Sequence, residues 1–510
     1  MKVSQLGKNI ITSFVGQGIL LVSSFISTHV IYHHLGRDVL GLLNFSLLIT
    51  SFLVSFLDFG ISVVATRELA AYRSTRPEYT ESIIRSLSFI SLLTFCLSSL
   101  VIALLSPLLL NGWVRLENIS VVNSWVLVSF VCISVGLLLG ILRTFYSIVL
   151  NGYERVDAVQ WSQVSFVAIQ QIGLITLPLI KSSLFVIAAW YLVSGLAGTA
   201  LFGWRAFRVA GWPLFRPRAS FFFLRNNARY AVENFFASFS GTLIFQSDKW
   251  LMSRFFPIGM LGFYTSTQAL AGKGTILASS VVSAIFPSIS HDVENVSVNE
   301  WRKRYAVAQD ICLVTSGCLL AAIYFFGTDL LTGIFSAEIA LQMKYPLFIL
   351  CVGAFFHASL YVPSWVAIAM KKTDMLVKAN CVSMVIVFPL LWFLASKFGI
   401  LGLSTITLLF ICVQYVFFIP RFAAECIQSS ACLWYRHAFA LAMSAGVTYG
   451  SFYALSTFFP GIAIRVAFYC AGTAAFLVIS SQLVSVRLAD VLRELITNAF
   501  SKILPYRNIV

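Results

Sequence analysis

An all-α integral membrane fold is what this sequence predicts, and three observations carry that reading. First, 59% of the 510 residues are hydrophobic and only 11% are charged, less than half the roughly 25% charged share of soluble proteins. Second, the apolar residues gather in long runs with short charged or Gly/Pro/Asn-rich breaks between them, and a hydrocarbon layer of about 30 Å needs roughly 20 such residues per helix. Third, backbone polar groups in lipid must be satisfied within their own segment, so runs of this length form helices. With a mean hydropathy of +0.88, a water-soluble surface cannot be built.

About 14 spans are expected along the chain. The first covers 10–32, after Lys2 and Lys8; it is too long for a secretory signal and lacks a small-residue cleavage site. The second, 42–66, lies between Arg37 and Arg67, and the third, 86–110, follows Arg73, Arg76 and Arg85. The fourth is 121–150, after Arg115. Arg155 and Lys181 bracket the fifth, 158–180, and Arg205 closes the sixth, 184–204. Arg254 separates the seventh, 230–253, from the eighth, 259–286. The ninth, 306–328, follows Arg302, Lys303 and Arg304; the tenth, 347–370, lies between Lys344 and Lys371. Lys397 ends the eleventh, 376–396, and Arg421 the twelfth, 401–420. The thirteenth, 438–459, follows Arg436, and the fourteenth, 462–484, closes before Arg487.

Lys and Arg in short loops favour the cytoplasm. With the N-terminus inside, 25 of the 35 cations fall in cytoplasmic segments, 7 outside, and Arg143, Lys249 and Lys273 within spans. Both termini are therefore expected in the cytoplasm. The longest basic connection, 205–229, reads as a cytoplasmic linker between a six-helix lobe at 1–204 and another at 230–420, with accessory helices 13 and 14 and a tail at 421–510. A short repeat supports two bundles: Leu40-Gly41 before the second span matches Leu261-Gly262 before the eighth, as parallel repeats do in many transporters.

The net charge of +15 sits in short clusters rather than a continuous stripe, which reads as topology signalling and excludes a nucleic-acid partner. The ten cysteines lie mostly inside apolar runs, with no CxxC spacing, so they are expected to be inert helix residues.

Several short motifs share a pattern. Leu57 to Ala70 reads LDFGISVVATRELA, Asp248-Lys249 ends span seven, Leu261-Gly262-Phe263-Tyr264 opens span eight, and Pro287-Ser288-Ile289-Ser290 closes it. Together with span count and linker they resemble the Wzx-type polysaccharide flippases of the multidrug/oligosaccharidyl-lipid/polysaccharide exporter superfamily. The resemblance implies a bacterial inner-membrane carrier of undecaprenyl-diphosphate-linked oligosaccharide, an O-antigen or other surface polysaccharide unit. Two lobes would alternate access around a central cavity, with no cofactor. It also implies membrane lipids, a polysaccharide polymerase and a chain-length regulator as partners. Membrane potential, proton coupling and sodium coupling remain open as the energy source.

Ionisable residues inside a membrane are costly and mark candidate sites. Here they are Asp58, Arg143, Glu233, Asp248, Lys249, Lys273 and Asp310, with His29 and His357 as titratable additions. Lys273, near the middle of span eight where snorkelling is hardest, is the leading candidate, and with Arg143 it suits a pyrophosphate. Asn234, Ser238, Gly241, Phe245 and Asp248 recur at intervals of four and three residues on one face of span seven, a polar stripe suited to sugars. Each has a plainer reading. Asp248 and Lys249 fit a helix-end pair in the headgroups, Asp58 a pair with Arg67, Glu233 and Asp310 interfacial positions, and the small residues close packing.

Two other function classes compete. A membrane glycosyltransferase or polymerase needs a substantial outer loop with catalytic side chains, and the loops at 111–120 and 329–345 offer no nucleophile–base pair, metal cluster or phosphate loop. A cation-coupled multidrug exporter of the same superfamily would have twelve spans and fewer intramembrane cations.

Overall fold

The computed structural model describes residues 22–73, 75–116, 124–180, 183–218, 228–275, 278, 297–370, 372–459 and 461–483. Helices dominate all of these stretches, and the one extended pairing among the described residues is an isolated bridge between Arg115 and Pro257. The chain forms two compact units: Met1–Ser266 with Leu331–Ala340 and Phe388–Leu403, and Thr267–Leu330 with Leu341–Val387 and Ser404–Val510.

The first unit contains α1 (22–35), α2 (Arg37–Leu57), α3 (Ile61–Tyr72), α4 (Pro77–Leu108), α5 (Ser124–Leu138), α6 (Gly140–Gly152), α7 (Val156–Ile180), α8 (Leu184–Ala210) and α9 (Ala228–Phe255), followed by most of α10 (Ile258–Lys273). The second expected span is broken at Asp58-Phe59-Gly60: Phe59 and Gly60 adopt φ of 47° and 69°, a left-handed region that terminates a helix. Glycine is required there twice over. A Cβ on Gly60 would lie 2.1 Å from the Ala231 carbonyl oxygen, so α9 crosses directly on the break.

The Leu-Gly repeat acquires a physical meaning in this unit. A Cβ on Gly41 would lie 2.2 Å from the Ile258 carbonyl oxygen, and one on Gly262 would lie 2.8 Å from the Leu40 side chain. The two matched segments thus cross each other at their glycines. One turn further in, the matched residues Asn44 and Thr265 meet, the Thr265 hydroxyl lying 2.8 Å from the Asn44 amide oxygen.

The second unit is organised along α11 (Val298–Ile334), whose 37 residues extend about 55 Å at 1.5 Å per residue. It also holds α12 (Ala337–Ala358), α13 (Tyr361–Ala369), α14 (Thr373–Phe398) up to Val387, α16 (Ile406–Phe417), α17 (Ile419–Phe422), α18 (Ala431–Thr457) and α19 (Ile462–Leu483); the short α15 (Ile400–Ser404) belongs mainly to the first unit. Helices α18 and α19 are bonded to α11 along nearly its whole length. Trp434 donates to the Tyr305 hydroxyl at 2.9 Å, His437 meets Asp310 at 2.5 Å, Tyr469 donates to the Cys318 carbonyl at 3.1 Å, and Arg465 pairs with Asp329 at 2.5 Å. Between the charged pairs, the rings of Tyr449, Tyr453 and Tyr469 surround Phe325.

Among the described residues, 10 helices are long and apolar enough to cross a membrane, or 11 if the bent pair Ile406–Phe417 and Ile419–Ile427 is one span. The other expected spans also coincide with helix: the first with 22–35, its part at 10–21 lying outside the described residues, the seventh with Ala228–Phe255, and the eighth with Ile258–Lys273, its parts at 276–277 and 279–286 lying outside the described residues. The seventh falls short of the apolar threshold because Gln246, Asp248 and Lys249 interrupt it.

Candidate functional site

The first unit carries an aromatic and polar seam where α2 and α9 meet. Phe52 and Phe56 on α2, and Phe235 and Phe239 on α9, recur at intervals of four, so each pair occupies one helical face, and Phe59 follows from the break after α2. Their rings form a ladder. Phe59 stacks on Phe235 at 5.6 Å and Phe235 on Phe239 at 5.4 Å; Phe239 meets Phe52 at 5.5 Å, Phe52 meets Trp250 at 5.6 Å, and Trp250 meets Trp113 at 5.8 Å. The Arg254 guanidinium caps Trp113 at 5.5 Å. From Phe235 to Arg254 the helix rises about 28 Å, close to the thickness of a bilayer core. Phe56 and Phe59 remain 42% and 49% exposed. This ladder escaped the sequence reading, although the Phe spacing on α2 was its signal.

The predicted stripe on α9 divides in two. Ser238 is exposed and Gly241 faces open space, whereas Asp248 is completely buried. Asp248 receives the Tyr264 hydroxyl at 2.8 Å and the Lys249 backbone amide at 2.8 Å. Tyr264 also lies 3.2 Å from the Leu403 carbonyl, so this carboxylate fastens α9 to α10 and to the 388–403 segment. Lys249 bonds the Phe245 carbonyl at 3.0 Å and stands 3.6 Å from its neighbouring acid. The side chains of Glu233 and Asn234 lie outside the described residues.

Asp58 sits at the break in the second span, where the Ser62 hydroxyl donates to it. It does not meet Arg67, which pairs with Glu68 at 3.2 Å. A cavity of about 50 Å³ opens beside it, with Ser62, Ser91, Thr94 and Thr144 among its polar lining.

Arg143, on α6, donates to the Gly195 carbonyl at 3.2 Å and lies 4.0 Å over the Phe166 ring. No carboxylate among the described residues pairs with it. In the second unit, Asp310 is 1% exposed and taken up by His437, a partner 127 residues away along the chain. Lys273 is the last residue of α10, half-buried, directly before the turn in which the Gly274 amide bonds the Ala271 carbonyl at 3.1 Å. The eighth expected span is thus interrupted at its lysine, where the negative end of the helix dipole favours a cation. Among the described residues no group of three or more His, Cys, Asp or Glu could hold a metal ion.

Residues 6–291 match the family model described as polysaccharide biosynthesis protein. A Shigella flexneri protein designated an O-antigen transporter is 22% identical over 418 residues, covering 78% of this chain and 92% of that one. Among solved structures, the inward closed conformation of the lipid II flippase MurJ superposes with a TM-score of 0.70 at 14% identity, covering 92% of this chain and 98% of that chain. An inward-facing multidrug resistance transporter of the MATE family gives 0.66 at 12% identity over 78% and 93%. At these identities the solved structures establish a shared fold.

Proposed function

Because the chain belongs to the polysaccharide biosynthesis protein family, we propose that it is a flippase. It would carry an undecaprenyl-diphosphate-linked oligosaccharide from the cytoplasmic to the periplasmic leaflet of a bacterial inner membrane, by alternating access of lobes 1–204 and 230–420. Both termini and the basic segment 205–229 would face the cytoplasm, as the loop cations favour. The carrier makes and breaks no covalent bond.

The observation that carries this reading is Lys273. It stands at an interrupted helix and has no ion pair with any described residue, and discontinuous helices are where transporters commonly place substrate sites. An ammonium held there in a half-buried setting suits a diphosphate, and within the first unit the Arg143 guanidinium is a cation of the same suitability. The exposed Phe56 and Phe59 suit the apolar faces of sugar rings.

Complementation of a deletion strain tests it. Lys273→Ala should reach wild-type abundance, because it removes a charge from the membrane, yet restore little surface polysaccharide, and Lys273→Arg should restore part. Full complementation by the alanine variant would remove Lys273 from the mechanism. The MATE-family fold likeness keeps a cation-coupled multidrug exporter as the second reading. Drug resistance conferred without any change in surface polysaccharide would favour it.

A further inference from the structure

Three of the six histidines, His29, His33 and His34, occur within one six-residue stretch at the end of α1. We propose that His29 and His33 form a binding site for a divalent transition-metal ion. Residues four apart on a helix share a face, the arrangement by which paired histidines hold a single zinc ion. Both side chains are exposed, and their ring centroids lie 4.3 Å apart at an interplanar angle of 51°. Two imidazoles ligating one ion through Nε2 at about 2.0 Å, in neighbouring coordination positions, bring their centroids to about 4.5–5 Å. The observed spacing needs only a small opening to reach that value.

A second observation prepares His29 as a ligand. Its Nδ1 lies 3.1 Å from the Ile334 carbonyl oxygen, which can only accept. Nδ1 therefore carries the proton and Nε2 keeps its lone pair, the same outer-shell device that fixes the tautomer of metal-bound histidines. His33 is restrained by the edge of Tyr32 at 4.9 Å, and Tyr32 is itself wedged between Phe263 and Phe335. Two helix ends supply negative potential: α1 closes two residues beyond His33, and Ile334 is the last residue of α11, so the negative ends of two helix dipoles favour a cation. Arg37 opposes it from the start of α2, its aliphatic stem packed on Gly259. Imidazole pairs select copper, nickel and zinc over magnesium and calcium, and water completes the coordination shell. His34 is rotated about 100° from His33 around the helix and takes no part.

The test uses the full chain in detergent micelles, its thiols first alkylated with N-ethylmaleimide, and copper(II) nitrilotriacetate as the probe, a complex with two adjacent open positions. Calorimetry and electron paramagnetic resonance should report one complex per chain with two imidazole nitrogens on copper. His29→Ala and His33→Ala should each weaken it at least tenfold, and His34→Ala less than twofold. Size-exclusion profiles matching wild type establish that the variants are folded. Wild-type binding no tighter than that of the His29→Ala/His33→Ala double variant, or an equal loss on His34→Ala, overturns the site.

Discussion

In the unit built on α2 and α9, the buried acid Asp248 is held by a tyrosine hydroxyl and a backbone amide, whereas in the unit built on α11 the acids Asp310 and Asp329 each meet a basic side chain from α18 or α19. The two solutions have different consequences. Pairs that cross between helices fasten α18 and α19 at both ends of α11, and they consume the charges that make them. In the first unit the buried acid draws on a tyrosine hydroxyl, a backbone amide and, at 3.6 Å, the lysine beside it on the same helix, and Arg143 leans on the Gly195 carbonyl with one of its five N–H groups. A cation bonded to a carbonyl and a ring face keeps most of its charge available to an anion. The comparison therefore places ion pairs that cross between helices in the second unit, and in the first a buried acid held mainly by tyrosine and backbone donors.

Gly60→Ala should disturb this arrangement most. A methyl group there meets the Ala231 carbonyl at 2.1 Å with φ at +69°, and α9 can only move away from α2, taking the aromatic ladder with it. Strain plus lost packing should exceed about 3 kcal/mol, read as failure to recover monodisperse protein. Gly241→Ala, on the same helix but facing open space, should purify like wild type.

His437→Ala should cost about 3 kcal/mol, because it removes the basic partner of a carboxylate that is almost fully buried. Thermal denaturation in detergent would measure it. Combining it with Asp310→Asn should recover much of the loss; a double variant as unstable as the single would mean that His437 acts by packing alone.

Tyr264→Phe removes the hydroxyl shared by Asp248 and the Leu403 carbonyl, and should cost about 1–3 kcal/mol by the same measurement. An unchanged melting temperature would show that the other contacts of Asp248 suffice. The smallest effect is expected from Arg465→Ala. Its pair with Asp329 is 32% and 42% exposed, and exposed pairs contribute about 0–1 kcal/mol. A loss as large as that of His437→Ala would show that both ends of α11 are clamped equally.

The helical class and the places of the spans were legible in the apolar runs alone, because lipid allows so few ways to satisfy a backbone and each span needs its own run. The sequence also marked the Leu-Gly repeat, since a glycine needed for close helix crossing leaves a local trace. Which charges meet was settled only in three dimensions. Asp58 stands closer in sequence to Arg67 than Asp310 does to His437, yet Arg67 turns to Glu68 and Asp310 finds a histidine 127 residues away. The break at Lys273 was hidden for a similar reason: apolar residues continue on both sides of Gly272-Lys273-Gly274, and hydropathy registers depth in the membrane but not the direction of the chain. Helical periodicity assigns each residue to a face; the crossing of α9 over Gly60, and of α18 and α19 along α11, decides which faces meet.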